Sequence, residues 1–123
     1  MSAWIRWWRA SVCFFLLLCL GITQVQAADQ VAYQDLPREA KTTISLIQKG
    51  GPFPYDKDGS VFGNYEKRLP KQSRGYYREY TVKTPYARNR GARRIITGGE
   101  GRGMQYFYTD DHYRSFRRVV DLR

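Results

Sequence analysis

At 123 residues the chain has room for one domain and excludes a multidomain architecture. Its formal net charge is +10, with 15% aromatic residues, which points to a polyanionic partner such as RNA, DNA or an anionic membrane. One histidine and two cysteines leave little scope for a zinc site or a disulfide-rich scaffold.

The first 27 residues read as a secretory signal peptide. Arg6 and Arg9 supply a positive start, Val12 to Ile22 is an apolar run, and Ala27 is a small residue before the expected cut. The run is too short to span a bilayer, which needs about 20 residues. After cleavage no membrane attachment is expected, and residues 28–123 form the functional domain. Both cysteines, Cys13 and Cys19, leave with the signal, so the mature domain carries no disulfide. The signal also removes two of the 21 basic residues and none of the 11 acidic ones, leaving a net charge of +8.

Ala28 to Gln34 is polar and reads as a loose arm. Asp35-Leu36-Pro37 is a helix start, and Leu36, Ala40, Ile44 and Ile47 recur at helical spacing. Gly50-Gly51-Pro52 is a stop, which predicts one helix over about 37–48. Phe53 to Gly63 is a loop. Asp56, Asp58 and Ser60 within it lack the twelve-position pattern of a calcium loop. From Tyr76 the period becomes two, predicting strands over 76–83, 93–97, 105–109 and 115–120. One helix followed by short, closely spaced strands predicts an α+β domain with an antiparallel meander.

The chemistry is concentrated between Tyr76 and Tyr113. Glu79 lies on a predicted strand, Arg88, Arg90, Arg93 and Arg94 form a basic run, and His112 is the only histidine. A carboxylate can act as base, an imidazole as acid, and guanidinium groups can stabilise a phosphorane, so this set can cleave a phosphodiester without a metal or other cofactor. Taken singly, each residue has a plainer reading: an ion pair, a surface histidine or a solvated basic face.

The motifs GPFPYDKDG, VFGNYEKRLP, GYYREYTV, RGARRII and TDDHYRSF closely resemble those of the microbial guanyl-specific ribonucleases (the barnase, ribonuclease Sa and ribonuclease T1 type), above all the Streptomyces-type bacterial branch. The resemblance covers roughly Leu36 to Val120. It implies one N-terminal helix packed on a twisted antiparallel sheet of about four to five strands, with RNA on the concave face. It also implies a secreted, monomeric endoribonuclease that cuts single-stranded RNA after guanosine, first to a 2′,3′-cyclic phosphate and then to a 3′-phosphate. By the same resemblance Glu79 is the general base, His112 the general acid, Arg90 and Arg94 the phosphate clamp, and Tyr113 a phosphate contact. Glu66 reads the guanine N1–H and N2–H₂ donors, backbone amides near Asn64 and Tyr65 meet O6, and Phe62 packs against the base. A barstar-like acidic inhibitor is the implied protein partner.

Three features depart from that branch. The mature chain has no terminal disulfide, and Thr97 stands where a cysteine often occurs. Tyr65 replaces a frequent arginine, and the segment GGEGRGMQYFY is glycine-rich and slightly longer. The competing expectation is a non-catalytic cationic RNA-binding or antimicrobial protein on the same fold.

Overall fold

The computed structural model describes residues 29–122, so the signal read at 1–27 lies outside the described residues. Strand β1 (Gln30–Ala32) leads through a 3₁₀ turn (Tyr33–Asp35) into helix α1 (Arg38–Lys49). Strands β2 (Ser60–Val61), β3 (Tyr77–Thr81) and β4 (Arg94–Gly98) follow. A second 3₁₀ turn (Gly101–Gly103) then precedes β5 (Gln105–Thr109) and β6 (Arg117–Val120). They form one six-stranded sheet in the order β1-β6-β5-β4-β3-β2.

The α+β class and the helix-on-sheet arrangement agree with the sequence reading, but the sheet is larger and mixed. The loose arm is a strand: Gln30, Val31 and Ala32 pair in parallel with Arg118, Val119 and Val120. The loop after the helix contains β2, whose Ser60 and Val61 pair with Glu79 and Arg78. Strands of three and two residues are too short to show a period. The partners of β1 lie at the other end of the chain, so nothing local announces it.

Helix α1 forms where the sequence stops competing with it. Pro37 lacks an amide to satisfy, and its carbonyl accepts from the amides of Ala40 and Lys41 at 3.0 and 3.1 Å. At the other end Gly50 takes φ 81°, a left-handed conformation that costs glycine little. The Gly50 and Gly51 amides then donate to Ile47 and Leu46, closing a Schellman motif. The buried stripe Leu36, Ala40 and Ile44 packs on Val82, Ile95, Tyr106, Tyr108 and Val119. Burying a side chain the size of Ile44 contributes about 1.5–3 kcal/mol. The Thr43 hydroxyl also donates to the Thr81 carbonyl at 3.1 Å, tying the helix to β3.

Alternation along each strand builds a second face. Tyr77, Ile96 and Phe107 point away from the helix and pack with Leu69, flanked by Phe62, Tyr76, Tyr113 and Phe116. Two cross-strand rows run through β3, β4 and β5: Glu79–Ile96–Phe107 and Thr81–Arg94–Thr109. Among the described residues no helix covers this face, and the strand period places Glu79, Thr81, Arg94 and Thr109 on it, the last three buried under the bordering loops.

Candidate active site

Glu79 sits mid-strand on β3 with its side chain 15% exposed. Arg90 Nη2 approaches its Oε1 at 3.4 Å. Arg90 is itself aimed by Thr81, whose Oγ1 accepts from Nε at 3.2 Å and from Nη2 at 2.9 Å. Because Glu79 and Thr81 are two apart on one strand, they share a face, and the guanidinium bridges them.

Arg94 is buried, at 2% exposure. Its Nη1 donates to the Gly91 and Arg93 carbonyls at 2.9 and 2.8 Å, and its Nε donates to the Tyr113 hydroxyl at 3.1 Å. These acceptors are uncharged, and among the described residues Arg94 has no carboxylate within ion-pair distance. The result is a fixed, unneutralised positive charge at the sheet face, which suits an anion. Tyr113 lies between this charge and Glu79. Burial pushes its phenol above the ordinary value; the Glu79 carboxylate adds to that rise, and Arg94 opposes it by charge and hydrogen bond. The phenol therefore stays protonated across the working range.

His112 and Tyr113 both adopt left-handed backbone, with φ 55° and 72°. Non-glycine residues rarely sit there, and two in succession need external support. Asp111 supplies much of it. Its Oδ1 accepts from the Arg114 and Ser115 amides at 3.1 and 3.0 Å and from the Thr109 hydroxyl at 2.9 Å. Its Oδ2 accepts from the Ser115 hydroxyl. Partial burial alone would raise the Asp111 pKa, but these hydrogen bonds outweigh it and hold the carboxyl at about 2. Thr109 Oγ1 also accepts from the Tyr113 amide, and the His112 amide donates to Ala92, so the turn is anchored to the arginine loop. The imidazole is exposed and shares an open cleft with Asn89, Arg90, Gly91 and Ala92.

A second recess adjoins this cluster. It has a volume of about 170 Å³ and is lined by Phe62, Asn64, Tyr65, Glu66, Arg68, Tyr113 and Phe116. Phe62 stacks on Tyr113 with ring centroids 5.1 Å apart, so it forms a wall. Tyr65 is 82% exposed and lies over Gly63, where a Cβ would come within 2.4 Å of the ring. The Asn64 side chain faces inward: Nδ2 donates to the Leu69 carbonyl at 2.9 Å and Oδ1 accepts from its amide at 3.1 Å. That brace holds the loop while Asn64 and Lys67 take positive φ. Among the described residues nothing accepts from the Asn64 or Tyr65 amides, so both are available to an incoming acceptor. The Glu66 carboxylate, with its side chain 73% exposed, pairs with Arg68 Nε at 3.1 Å.

The structure thus brings Glu79, Arg90, Arg94, His112 and Tyr113 together and sets Phe62, Asn64, Tyr65 and Glu66 around the adjoining recess. It separates the remaining arginines. Arg88 is exposed, and Arg93 reaches the helix side, where its charge acts on Tyr108. Four contributing residues carried no evident sequence signal: Thr81 behind Arg90, Thr109 and Asp111 behind the histidine turn, and Arg68 on Glu66. Only the Thr-x-Asp spacing before His112, typical of side chains that cap local backbone, marked any of them. Among the described residues no three His, Cys, Asp or Glu side chains converge as a metal site. Asp58 instead accepts from the Tyr55 and Thr81 amides.

Known proteins resemble the chain in sequence and in fold. A family model described as ribonuclease matches residues 22–120. The guanyl-specific ribonuclease St of Saccharopolyspora erythraea is 55% identical over 92 residues, covering 75% of this chain and 88% of the relative. The guanyl-specific ribonuclease Sa of Kitasatospora aureofaciens is 56% identical over 89 residues, covering 72% and 91%. The crystal structure of ribonuclease Sa2 with guanosine-2′-cyclophosphate superimposes with a TM-score of 0.72 at 44% identity, over 79% of this chain and 100% of that one. A structure of the same enzyme with 3′-GMP gives 0.69 at 45% identity, with the same coverage.

Proposed function

The chain belongs to the guanyl-specific ribonuclease family, and from that membership we propose that it cuts single-stranded RNA after guanosine by metal-free transesterification. The observation that carries this reading is spatial. Tyr113 belongs both to the Glu79–Arg94 cluster and to the Glu66 recess, so one nucleotide can place its base in the recess and its 3′-phosphate on the cluster.

In the first step Glu79 takes the proton of the 2′-hydroxyl. The O2′–P bond forms as the P–O5′ bond breaks, and His112 protonates the departing O5′. Arg90 and Arg94 stabilise the phosphorane with charge already in place, and the Tyr113 hydroxyl contacts a phosphate oxygen. In the second step the roles exchange. His112 takes a proton from water, the water oxygen bonds to phosphorus as the P–O2′ bond breaks, and Glu79 returns a proton to O2′. Guanine is selected because the Glu66 carboxylate accepts from N1–H and N2–H₂ together, with backbone amides near Asn64 and Tyr65 donating to O6. Adenine would set its N1 lone pair against that carboxylate. Tyr65 and Phe62 enclose the base.

The signal reading of residues 1–27 makes this an exported enzyme, with residues 28–123 as the ribonuclease domain, and the proposal takes it to act as a monomer. Because a free ribonuclease endangers its maker, an acidic barstar-like inhibitor completes the proposal. Replacing the one guanosine of a short RNA by 2′-deoxyguanosine tests the mechanism, since it removes the nucleophile and leaves the base. Cleavage there is expected to vanish; cutting at a comparable rate would refute it.

A further inference from the structure

Beyond the guanine recess, on the side away from His112, the surface opens into a cleft of about 310 Å³. Lys67, Lys71 and Arg74 line it together with the rings of Phe62, Tyr65 and Tyr77, and no acidic residue does. Among the described residues none of the three cations forms an ion pair. Tyr65 lines both the recess and this cleft, as do Phe62 and Asn64, and its hydroxyl accepts from Arg74 Nη1 at 3.2 Å. Ser73 and Arg74 then open onto a larger cleft of about 530 Å³ that adds Tyr76, Arg78 and Tyr80, against a single acid, Glu100.

Unpaired cations beside an exposed ring, here Tyr65 at 82%, are a usual means of holding single-stranded nucleic acid. The charges follow the backbone, and the ring accepts any base by its face. Direction follows from the site. The guanosine 3′-phosphate lies on the Glu79–His112 cluster, so the leaving nucleotide departs past His112 and Asn89. The strand on the 5′ side continues from the other end of that ribose, and the basic surface that borders the recess away from the cluster lies beyond Tyr65. Resting on the ribonuclease reading, we propose that this cleft is a binding site for the nucleotides immediately 5′ to the scissile guanosine, taken without base selection.

The test compares a guanosine-containing dinucleotide with the same substrate extended by two uridines on its 5′ side, at low salt. Wild type is expected to gain about tenfold in kcat/KM on the extended substrate, through KM. In Lys71→Glu and in Lys71→Gln that gain should fall below about twofold, with dinucleotide cleavage unchanged. Equal rates on both substrates, a gain that survives both variants, or a gain from 3′ extension alone would overturn the proposal. Fluorescence anisotropy with an uncleavable 5′-extended oligonucleotide containing 2′-deoxyguanosine reads the same cleft without turnover. Tighter binding than the dinucleotide, weakened about tenfold by Lys71→Glu, supports the site even where cleavage fails. Identical affinities would sink it.

Discussion

The cleavage cluster and the guanine recess touch at Tyr113 but are built in opposite ways. Glu79 and Arg94 stand on adjacent central strands, with Arg94 at 2% exposure and its guanidinium held by two carbonyls and a phenol. The recess is a loop feature: Tyr65 is 82% exposed and the Glu66 side chain 73%. What fixes that loop is one asparagine bonded twice to Leu69. Glu79 and Arg94 are mounted on strands, where reorganisation is small, and Arg90 and His112 reach them from loops tied down by Thr81 and Ala92. Groups that must admit and release a base are mounted on a braced loop. Chemistry and selection should therefore fail separately.

The largest effect should come from the cluster. Glu79→Gln and His112→Gln should each lower kcat by about 10²–10⁴-fold with little change in KM for a guanosine substrate. Near-normal turnover in either would reassign that residue. The recess should respond differently. Glu66→Ala should reduce the preference for guanosine over adenosine by about a hundredfold or more, since the edge of the base that carries N1–H and N2–H₂ loses its acceptors. Melting temperature should barely move, because the carboxylate is exposed. Unchanged preference on four otherwise identical substrates would remove Glu66 as the reader.

The smallest effect belongs to the support beneath the histidine. Asp111→Ala removes acceptors from a left-handed turn and should cost about 1–2 kcal/mol of stability near neutral pH. The folded Asp111 pKa is lowered from 3.8 to about 2, so its contribution is fully present above about pH 4. It is lost as pH falls toward 2. Thermal melts of wild type and variant should therefore differ at pH 7 and converge near pH 2. A constant difference across that range would show that the carboxylate charge is not what supports the turn.

How much of this was legible depends on the range of the interactions. Helix α1 and strands β3 to β5 carry their own period, and each lies within a residue or two of its expected place. Strands β1 and β2 exist only through their partners, so their sequences say little. In the site the same division holds. The alternation in YYREYTV separates Glu79 from Tyr80, and the step from Arg93 to Arg94 sends one guanidinium toward the helix and the other toward the cluster. Thr81, Thr109 and Asp111 act by hydrogen bonds to groups fixed elsewhere, which no spacing rule specifies. Asn64 shows the limit from the other side: its place in FGNYE was readable, but the use of its side chain as a brace to Leu69 was not.

The central claim is that the cluster on the sheet face cuts where the loop-mounted recess reads. Product mapping on a defined short RNA with a single guanosine, in excess EDTA, tests it most directly. The account predicts one cut, 3′ to the guanosine, with a 2′,3′-cyclic phosphate appearing first and a 3′-phosphate following. Loss of cleavage in EDTA, cuts spread over all four bases, or a 5′-phosphate product would contradict it.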